Sequence, residues 1–253
     1  MTFLGDLQEL VELQSPSEDL AACARVVDLA VAIAARNLQE PARVMQAGGR
    51  PVFWWGSDKP EVVLLCHLDT VWPIDSYLPL WRVEGDQIFG PGIFDMKAGF
   101  LQAMYAIKEI PNASEKIALV GTTDEEIGSH ASRQLIEDLA RSAKATLVFE
   151  SSIDDTVKIG RKGTSMYRIT VHGRAAHAGL EPEKGINATT EISKIVLAMA
   201  SLENSEHGTT VVPTVMQSGS TTNTVPATAT LDIDARSFLA AELVRIDEEI
   251  KNL

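Results

Sequence analysis

The chain has 253 residues, of which 45% are hydrophobic and 23% charged, a composition typical of a soluble globular protein with one large domain or two modest ones. Its 35 acidic and 22 basic side chains give a net charge of −13. This balance disfavours nucleic acids and anionic membrane surfaces as partners, because both bind basic patches.

The amino-terminal sequence and the two cysteines suggest a cellular compartment. No basic segment followed by an apolar core is visible at the N-terminus, and no apolar run is long enough to span a bilayer. Cys23 and Cys66 lie in apolar contexts, which favours buried thiols over a disulfide or a metal role. We therefore expect a protein of the reducing cytoplasm.

The first 160 residues alternate between helical and strand-like patterns. Residues 2–14 predict a short amphipathic helix, and Ser15-Pro16-Ser17-Glu18 predicts the start of a second helix that ends near Leu38. The segments that follow are strands at 42–46, 51–55 and 61–66, a helix from 95 to about 109, a strand at 116–123, a helix at 129–141 and a strand at 145–150. This alternation predicts an α/β fold with a largely parallel or mixed sheet.

The pattern changes near Gly160-Arg161-Lys162-Gly163. The later segments are a strand at 164–172, a helix at 185–202, strands at 209–217 and 227–235, and a helix at 240–253. This β-α-β-β-α order is one strand short of a ferredoxin-like unit. We therefore predict a boundary between domains 1–161 and 162–253.

Polar residues follow the predicted strands at the points where they end. His67 and Asp69 come directly after the apolar strand 61–66, and residues two apart on an extended segment face the same side. His67 can therefore point to a metal while Asp69 holds its other ring nitrogen. Taken alone, this His-x-Asp pair favours an incidental role.

Four further carboxylates lie at comparable positions, one at a predicted helix start and three at the ends of strands. Gly90-Pro91-Gly92 predicts a turn into a helix that starts at Asp95, which by itself is most simply a helix cap and otherwise a carboxylate that bridges two metals. Glu125 and Glu126 follow the strand 116–123, and Glu150 closes the next one. Lys97 is compatible with a solvated helix surface, and we assign it no function.

These positions together favour a metal centre over several independent incidental residues. One neutral imidazole and several hard carboxylates suit Zn²⁺, with Co²⁺ or Mn²⁺ as alternatives. The four negative charges of Asp95, Glu125, Glu126 and Glu150 favour two divalent ions over one.

At these residues the chain resembles the glutamate carboxypeptidase / acetylornithine deacetylase / succinyl-diaminopimelate desuccinylase family of co-catalytic zinc metallopeptidases. The motifs that carry the resemblance are His67-Leu68-Asp69-Thr70-Val71, Gly90-Pro91-Gly92 with Asp95-Met96-Lys97, Thr123-Asp124-Glu125-Glu126-Ile127-Gly128-Ser129, Glu150, and Ala176-His177-Ala178-Gly179. The resemblance implies a zinc-peptidase-like mixed sheet sandwiched by helices, with an inserted ferredoxin-like α+β lid that forms a homodimer. It also implies a cis peptide between Asp95 and Met96.

The same resemblance implies a role for each site residue. Asp95 would bridge two Zn²⁺ ions, His67 and Glu150 would complete the ligands of one, and Glu126 would hold the other. Glu125 would take a proton from the attacking water and pass it to the leaving amine, while Asp69 orients His67.

Three lid residues match substrate-binding positions of the family, namely His177, Asn223 and Arg236. They would grip a substrate carboxylate and polarise the scissile carbonyl, with His177 reaching across a dimer. The physical chemistry fits, because Arg offers a planar fork to a carboxylate and His or Asn can donate to an oxyanion. The alternative is that Arg236 pairs with Asp234 on a strand face.

The sequence departs from the family in two ways. The family uses one more metal-ligating histidine near its C-terminus, and His130, His172 and His207 do not lie in such a setting. The chain also stops before the last strand of the lid and the returning part of the catalytic domain. We therefore expect exposed core faces and reduced stability.

The expected function is hydrolysis of an amide next to a free carboxylate, as in an N-acyl amino acid or a C-terminal acidic residue. Glu rather than Asp at position 150 favours the carboxypeptidase and deacylase branch over tripeptidase-like aminopeptidases, by resemblance alone. Two alternatives stay open: an inert fragment that binds metal or dimerises, and a two-domain protein that binds amino acids.

Overall fold

The structure, a computed structural model, describes residues 2–152 and 156–252. Contacts within the chain divide it into two units, residues 1–155 and 156–253, each described by itself below. The sequence predicts the boundary after residue 161, six residues beyond this division, and that boundary stays a prediction.

The first unit places four helices around a five-stranded sheet, with a small separate hairpin. Its elements are α1 Phe3–Glu12, α2 Leu20–Asn37, β1 Arg43–Ala47, β2 Arg50–Gly56, β3 Val62–His67, β4 Arg82–Glu84, β5 Gln87–Phe89, α3 Ala98–Lys108, β6 Ile117–Thr122, α4 Arg133–Ser142 and β7 Ala145–Val148. The sheet order is β1-β2-β6-β3-β7, and β4 pairs with β5. Strands β1, β2 and β6 are antiparallel, whereas β6, β3 and β7 are parallel. The predicted mixed sheet is confirmed.

Strand β2 shows how helices cover both faces of this sheet. Its residues 52–55 are all buried, and alternate side chains point to opposite faces. Phe53 and Trp55 pack among residues of α1, α2 and α3, and the Phe53 ring meets Phe100 of α3 edge-on. Val52 and Trp54 pack on the other face, with Leu139 of α4. The helices therefore sandwich the sheet, as the sequence predicts.

The segment before α2 differs from the sequence-based prediction. Asp19, not Ser15, caps α2, because its carboxylate accepts a hydrogen bond from the Ala22 amide at 2.9 Å. Ser15 instead lies beside the loop after β3, where its carbonyl accepts from the Thr70 amide at 2.9 Å. The predicted helix start at Ser15 is wrong because these long-range bonds hold the segment out of the helix.

The second unit packs two helices on one face of a three-stranded antiparallel sheet. Its elements are β8 Gly163–His172, α5 Ala188–Met199, β9 Thr210–Ser218, β10 Thr228–Ser237 and α6 Ala240–Lys251. The sheet order is β8-β10-β9, and one apolar cluster joins the sheet to both helices. The predicted order β-α-β-β-α is confirmed, although α6 ends at Lys251 and residue 253 lies outside the described part.

Several large apolar side chains are exposed. Leu147 and Val148 on β7 are 48% and 53% exposed, Met166 on β8 is 77% exposed and Leu197 on α5 is 78% exposed. The reduced stability expected from such faces stays a prediction. No helix in the described part of the chain is long and apolar enough to cross a bilayer.

Candidate metal centre

Parallel pairing brings the candidate ligands to one edge of the sheet. His67 ends β3 and pairs in register with Thr122, the last residue of β6. A short turn, Glu125–Ile127, follows β6, and Glu150 follows β7, which is parallel to β3. Because the carboxyl ends of parallel strands meet at one edge, the polar residues after them converge.

Four carboxylates surround the imidazole of His67, a buried residue that is 1% exposed. Its Nε2 lies 2.9 Å from Asp95 Oδ1, 3.5 Å from Glu150 Oε1 and 3.9 Å from Glu125 Oε2. Ligand atoms of His67, Asp95 and Glu126 lie within 4.8 Å of one another, and so do those of His67, Glu125 and Glu150. One imidazole with four carboxylates is a donor set that suits one or two divalent cations.

Asp95 lies in a kinked turn rather than in a helix. Its backbone is extended, with φ −127° and ψ 94°, and the peptide to Met96 is cis. The preceding turn needs glycine at position 92, where φ is +71° and a Cβ would lie 2.5 Å from Thr70 Cγ2. The predicted helix start at Asp95 is wrong, because α3 begins at Ala98, whereas the expected cis bond is confirmed.

The buried Asp69 carboxylate connects His67 to the glutamate turn. Its Oδ1 lies 3.4 Å from His67 Nδ1, and the Asp69 carbonyl lies 3.0 Å from the same nitrogen. The amides of Glu125 and Glu126 donate to Asp69 Oδ1 and Oδ2 at 3.4 and 3.3 Å. Ser17 Oγ donates to Oδ2 at 2.6 Å. Asp69 can therefore fix the orientation of both His67 and the two glutamates.

The electrostatics of the cluster favour a bound cation. Burial, followed by repulsion from Asp95, raises the pKa of Glu126 to about 7. Burial also raises the pKa of Glu125. For His67, burial lowers the pKa, but the hydrogen bonds with Asp69 and Glu150 outweigh it and raise the pKa to about 11. A divalent cation would satisfy this negative field while the imidazole stays neutral.

Three residues near the centre were not identified from the sequence. Ser17 contacts Asp69, and Arg50 donates to the carbonyls of Ser17 at 2.7 Å and Thr123 at 2.5 Å. Lys97 is 1% exposed, and its Nζ donates to the carbonyls at positions 10 and 13, at the C-terminal end of α1. Lys97 therefore does not lie on a solvated helix surface, and burial lowers its pKa to about 7. Its apolar neighbours were the only sequence signal of burial.

The second unit brings two of the three predicted substrate residues together. His177 forms an isolated bridge with Thr224, and the Ala178 amide donates to the Asn223 carbonyl at 2.9 Å. His177 Nδ1 accepts from the amides of Gly179 and Leu180 at 3.1 and 3.2 Å. Since Nδ1 accepts, a neutral ring of the exposed His177 carries its proton on Nε2, which can donate.

Arg236 lies at the other end of the same sheet. It forms a two-pronged ion pair with Asp234, with Nε–Oδ1 at 2.9 Å and Nη2–Oδ2 at 2.8 Å. The strand-face pair that the sequence analysis keeps as an alternative is therefore present. Arg236 lies eight positions after Thr228 on this extended strand, which corresponds to about 26 Å.

The comparisons with known proteins agree with this geometry. Residues 159–253 match the family model of the M20 peptidase dimerisation domain. Carboxypeptidase G2 of Pseudomonas sp. (strain RS-16) is 34% identical over 189 residues, which cover 72% of this chain and 45% of that protein. The chain is therefore similar to M20 peptidases. Succinyl-diaminopimelate desuccinylase of Sulfurovum sp. (strain NBC37-1) is another relative, 26% identical over 59% of this chain and 44% of that enzyme.

Solved structures share the M20 fold. A tripeptidase from Staphylococcus aureus superposes with a TM-score of 0.76 at 23% identity, covering 98% of this chain and 68% of that one. An M20 family metallo-carboxypeptidase from Sulfolobus solfataricus gives a TM-score of 0.74 at 17% identity, covering 94% and 71%. At these identities the likeness establishes the fold alone. The chain spans less than half the length of the two curated relatives above.

Proposed function

We propose that the complete protein is a metal-dependent hydrolase that cleaves an amide bond next to a free carboxylate. The observation that carries the proposal is the buried His67 imidazole with four carboxylates around it at the carboxyl edge of the sheet. Carboxylates this close together repel one another, and a divalent cation would offset that repulsion. Relatives named as a carboxypeptidase and as desuccinylases support the same reaction class.

The proposed metal ligands are His67, Asp95, Glu126 and Glu150. Asp95 and Glu126 form one group with His67, and Glu150 forms a second with His67 and Glu125. The negative charge of the four carboxylates favours two ions, with Zn²⁺ preferred and Co²⁺ or Mn²⁺ as alternatives. When bound, such ions polarise the scissile carbonyl and make water more acidic. His67 would act as a neutral ligand, with Asp69 holding the ring in place from the Nδ1 side.

Glu125 is the proposed general base. Its carboxylate is 44% exposed and lies 3.9 Å from His67 Nε2, so it can reach both the cluster and an entering substrate. Burial raises its pKa, which brings a carboxylate closer to the range useful for proton transfer. Glu125 would take the proton of the attacking water and deliver it to the nitrogen of the leaving amine.

The substrate residues are proposed to come from two copies of the chain. His177 and Asn223 lie together in the segments next to the Thr228 end of β10, whereas Arg236 lies about 26 Å along that strand from Thr228. This separation is too large for all three to grip one small substrate from a single lid. The match to a peptidase dimerisation domain supports a homodimer. In that assembly, the partner's His177 would donate to the carbonyl oxygen, and Arg236 would exchange Asp234 for the substrate carboxylate.

The second candidate function is metal binding or dimerisation without catalytic turnover. The two groups of candidate ligands found among the described residues share His67 as their histidine, so the second ion has carboxylates alone. This observation favours weak binding of the second metal by the present chain.

Hydrolysis by the 253-residue chain distinguishes the two candidates. We expect Zn²⁺-dependent release of amino acid from N-acetyl amino acids or peptides with a C-terminal glutamate. Glu125→Gln should abolish turnover while Zn²⁺ still binds, and Glu109→Gln, at an exposed helix end, should leave turnover unchanged. A folded, Zn²⁺-loaded chain without turnover would favour the inert candidate.

A further inference from the structure

We propose that Ser17 is a positioning residue of the metal centre, acting through Asp69 on His67 and on the Glu125–Glu126 turn. The inference deepens the proposed function and rests on it. Ser17 lies before α2, 50 residues from His67 in the sequence, and it is 3% exposed. It does not contact the candidate ligands' side chains in its hydrogen bonds, so its effect must pass through Asp69.

The Ser17 hydroxyl fixes one oxygen of the Asp69 carboxylate. Its Oγ lies 2.6 Å from Asp69 Oδ2, within the range of a strong O–H donor to a charged acceptor. The same Oδ2 accepts the Glu126 amide at 3.3 Å, while Oδ1 faces His67 Nδ1 and the Glu125 amide. Holding Oδ2 therefore sets the rotation of the whole carboxylate.

The other contacts of Asp69 are too long to hold it alone. The amides of Glu125 and Glu126 and the ring nitrogen of His67 all lie between 3.3 and 3.4 Å from its carboxylate oxygens. The Ser17 bond is the shortest of the four and comes from a group that is itself fixed. Without it, Asp69 could rotate away from the imidazole or from the glutamate turn.

Arg50 keeps Ser17 in place. Its guanidinium donates to the Ser17 carbonyl at 2.7 Å and to the Thr123 carbonyl at 2.5 Å, and Thr123 directly precedes the segment that carries Glu125. The Ser17 amide also donates to the Thr70 carbonyl at 3.2 Å. Arg50 therefore ties the serine segment and the glutamate segment to the same β1–β2 hairpin.

Ser15 offers a matched control two residues away. It is fully buried, and its Oγ donates to a backbone carbonyl, that of Leu68, at 2.7 Å. Ser15→Ala and Ser17→Ala each remove one buried hydroxyl beside the end of β3. Only Ser17→Ala removes a bond to the Asp69 carboxylate, so a structural role alone predicts equal effects on metal binding.

The test is a calorimetric titration of the full 253-residue chain with Zn²⁺ alone, without substrate. Ser17→Ala should weaken Zn²⁺ binding by about 10-fold or more relative to Ser15→Ala, as loss of a hydrogen bond behind a metal ligand does. Ser17→Thr, which keeps the hydroxyl, should bind within a factor of about 3 of the unmodified chain. Equal affinities for Ser15→Ala and Ser17→Ala would overturn the inference.

A second variant keeps the inference testable if Ser17→Ala does not fold. Arg50→Met removes the hydrogen bonds to the Ser17 and Thr123 carbonyls but leaves Asp69 unchanged. It should weaken Zn²⁺ binding, whereas Ser15→Ala should not. Unchanged binding by a folded Arg50→Met chain would contradict the inference. These titrations are independent of turnover. If the chain is inactive but Ser17→Ala still binds Zn²⁺ more weakly than Ser15→Ala, the result counts against the proposed hydrolase activity and supports the positioning role of Ser17.

Discussion

In the second unit three carboxylates of the sheet and of α6 are paired with arginines, whereas in the first unit the carboxylates at the sheet edge face one another. Arg168, Arg236 and Arg245 lie within 2.6–2.8 Å of Asp232, Asp234 and Glu242, respectively. Each arginine holds the pKa of its partner below the usual value.

At the edge of the first sheet the shifts have the opposite sign. Burial raises the pKa values of Glu125 and Glu126, and neighbouring carboxylates add to the effect. The same unit can neutralise a buried acid elsewhere, since Asp6 accepts hydrogen bonds from Arg36, Asn37 and Tyr105. The need for a compensating positive charge is therefore confined to the carboxylates at the sheet edge, where a metal cation would provide it.

The largest effect is expected from removing one charge of the edge cluster. Asp95→Asn should weaken Zn²⁺ binding by more than about 100-fold, because a ligand contributes more than the groups behind it. Asp234→Asn, which breaks an arginine pair in the second unit, should leave the affinity unchanged. Calorimetric titration of both variants measures this contrast, and an equal loss in both would remove the distinction between the two regions.

The next largest effect is the loss of stability when a carboxylate paired with arginine, Asp6 or Asp234, is replaced by its amide. Asp6 is fully buried, so Asp6→Asn should lower the free energy of unfolding by about 3 kcal/mol. Asp234 and Arg236 are 25% and 55% exposed, so Asp234→Asn should cost at most about 1 kcal/mol. Urea unfolding at neutral pH compares them, and a larger loss for Asp234→Asn would contradict the burial argument.

The contribution of Asp6 should depend on pH. Burial raises its pKa, but the hydrogen bonds from Arg36, Tyr105 and Asn37 outweigh it and leave the pKa below the usual value. The stability it supplies is therefore complete above the usual carboxyl pKa of about 4 and is lost as the pH falls through the lowered value. The gap in unfolding free energy between the unmodified chain and Asp6→Asn should narrow below pH 4. A gap that widens below pH 4 would contradict the lowered pKa of Asp6.

A smaller effect tests the turn that carries Asp95. Gly92 and Gly49 both have positive φ, +71° and +84°, but only Gly92 has a close neighbour for an added Cβ. Gly92→Ala should therefore destabilise the chain by about 1–3 kcal/mol more than Gly49→Ala. Thermal unfolding of the two variants gives the difference, and equal Tm values would show that the Thr70 contact relaxes freely.

Much of this arrangement could be predicted from the sequence, because strand ends can be read locally. The apolar runs before His67, before Glu125 and before Glu150 placed these residues at one edge of a sheet. Their proximity is a property of the structure, whereas their individual roles stay predictions. The cis bond after Asp95 came from the family resemblance and not from the residues.

The remaining features depend on contacts between distant segments. Ser15 and Pro16 have the local signature of a helix start, yet bonds to the loop after β3 hold them extended. Ser17, Arg50 and Lys97 carry no signature of their own, since each reaches its partner across the fold. Propensity and periodicity cannot show such pairings.

A Zn²⁺ titration of the chelator-treated chain tests the central claim most directly. The unmodified chain should bind Zn²⁺ tightly, and this binding should be lost when Asp95→Asn and Glu126→Gln are combined. The metal-free double variant should still unfold cooperatively. With Zn²⁺ at 100 times its dissociation constant, the unmodified chain should gain about 2.7 kcal/mol of stability. Binding of equal strength in the double variant would contradict the assignment of the metal centre to these residues.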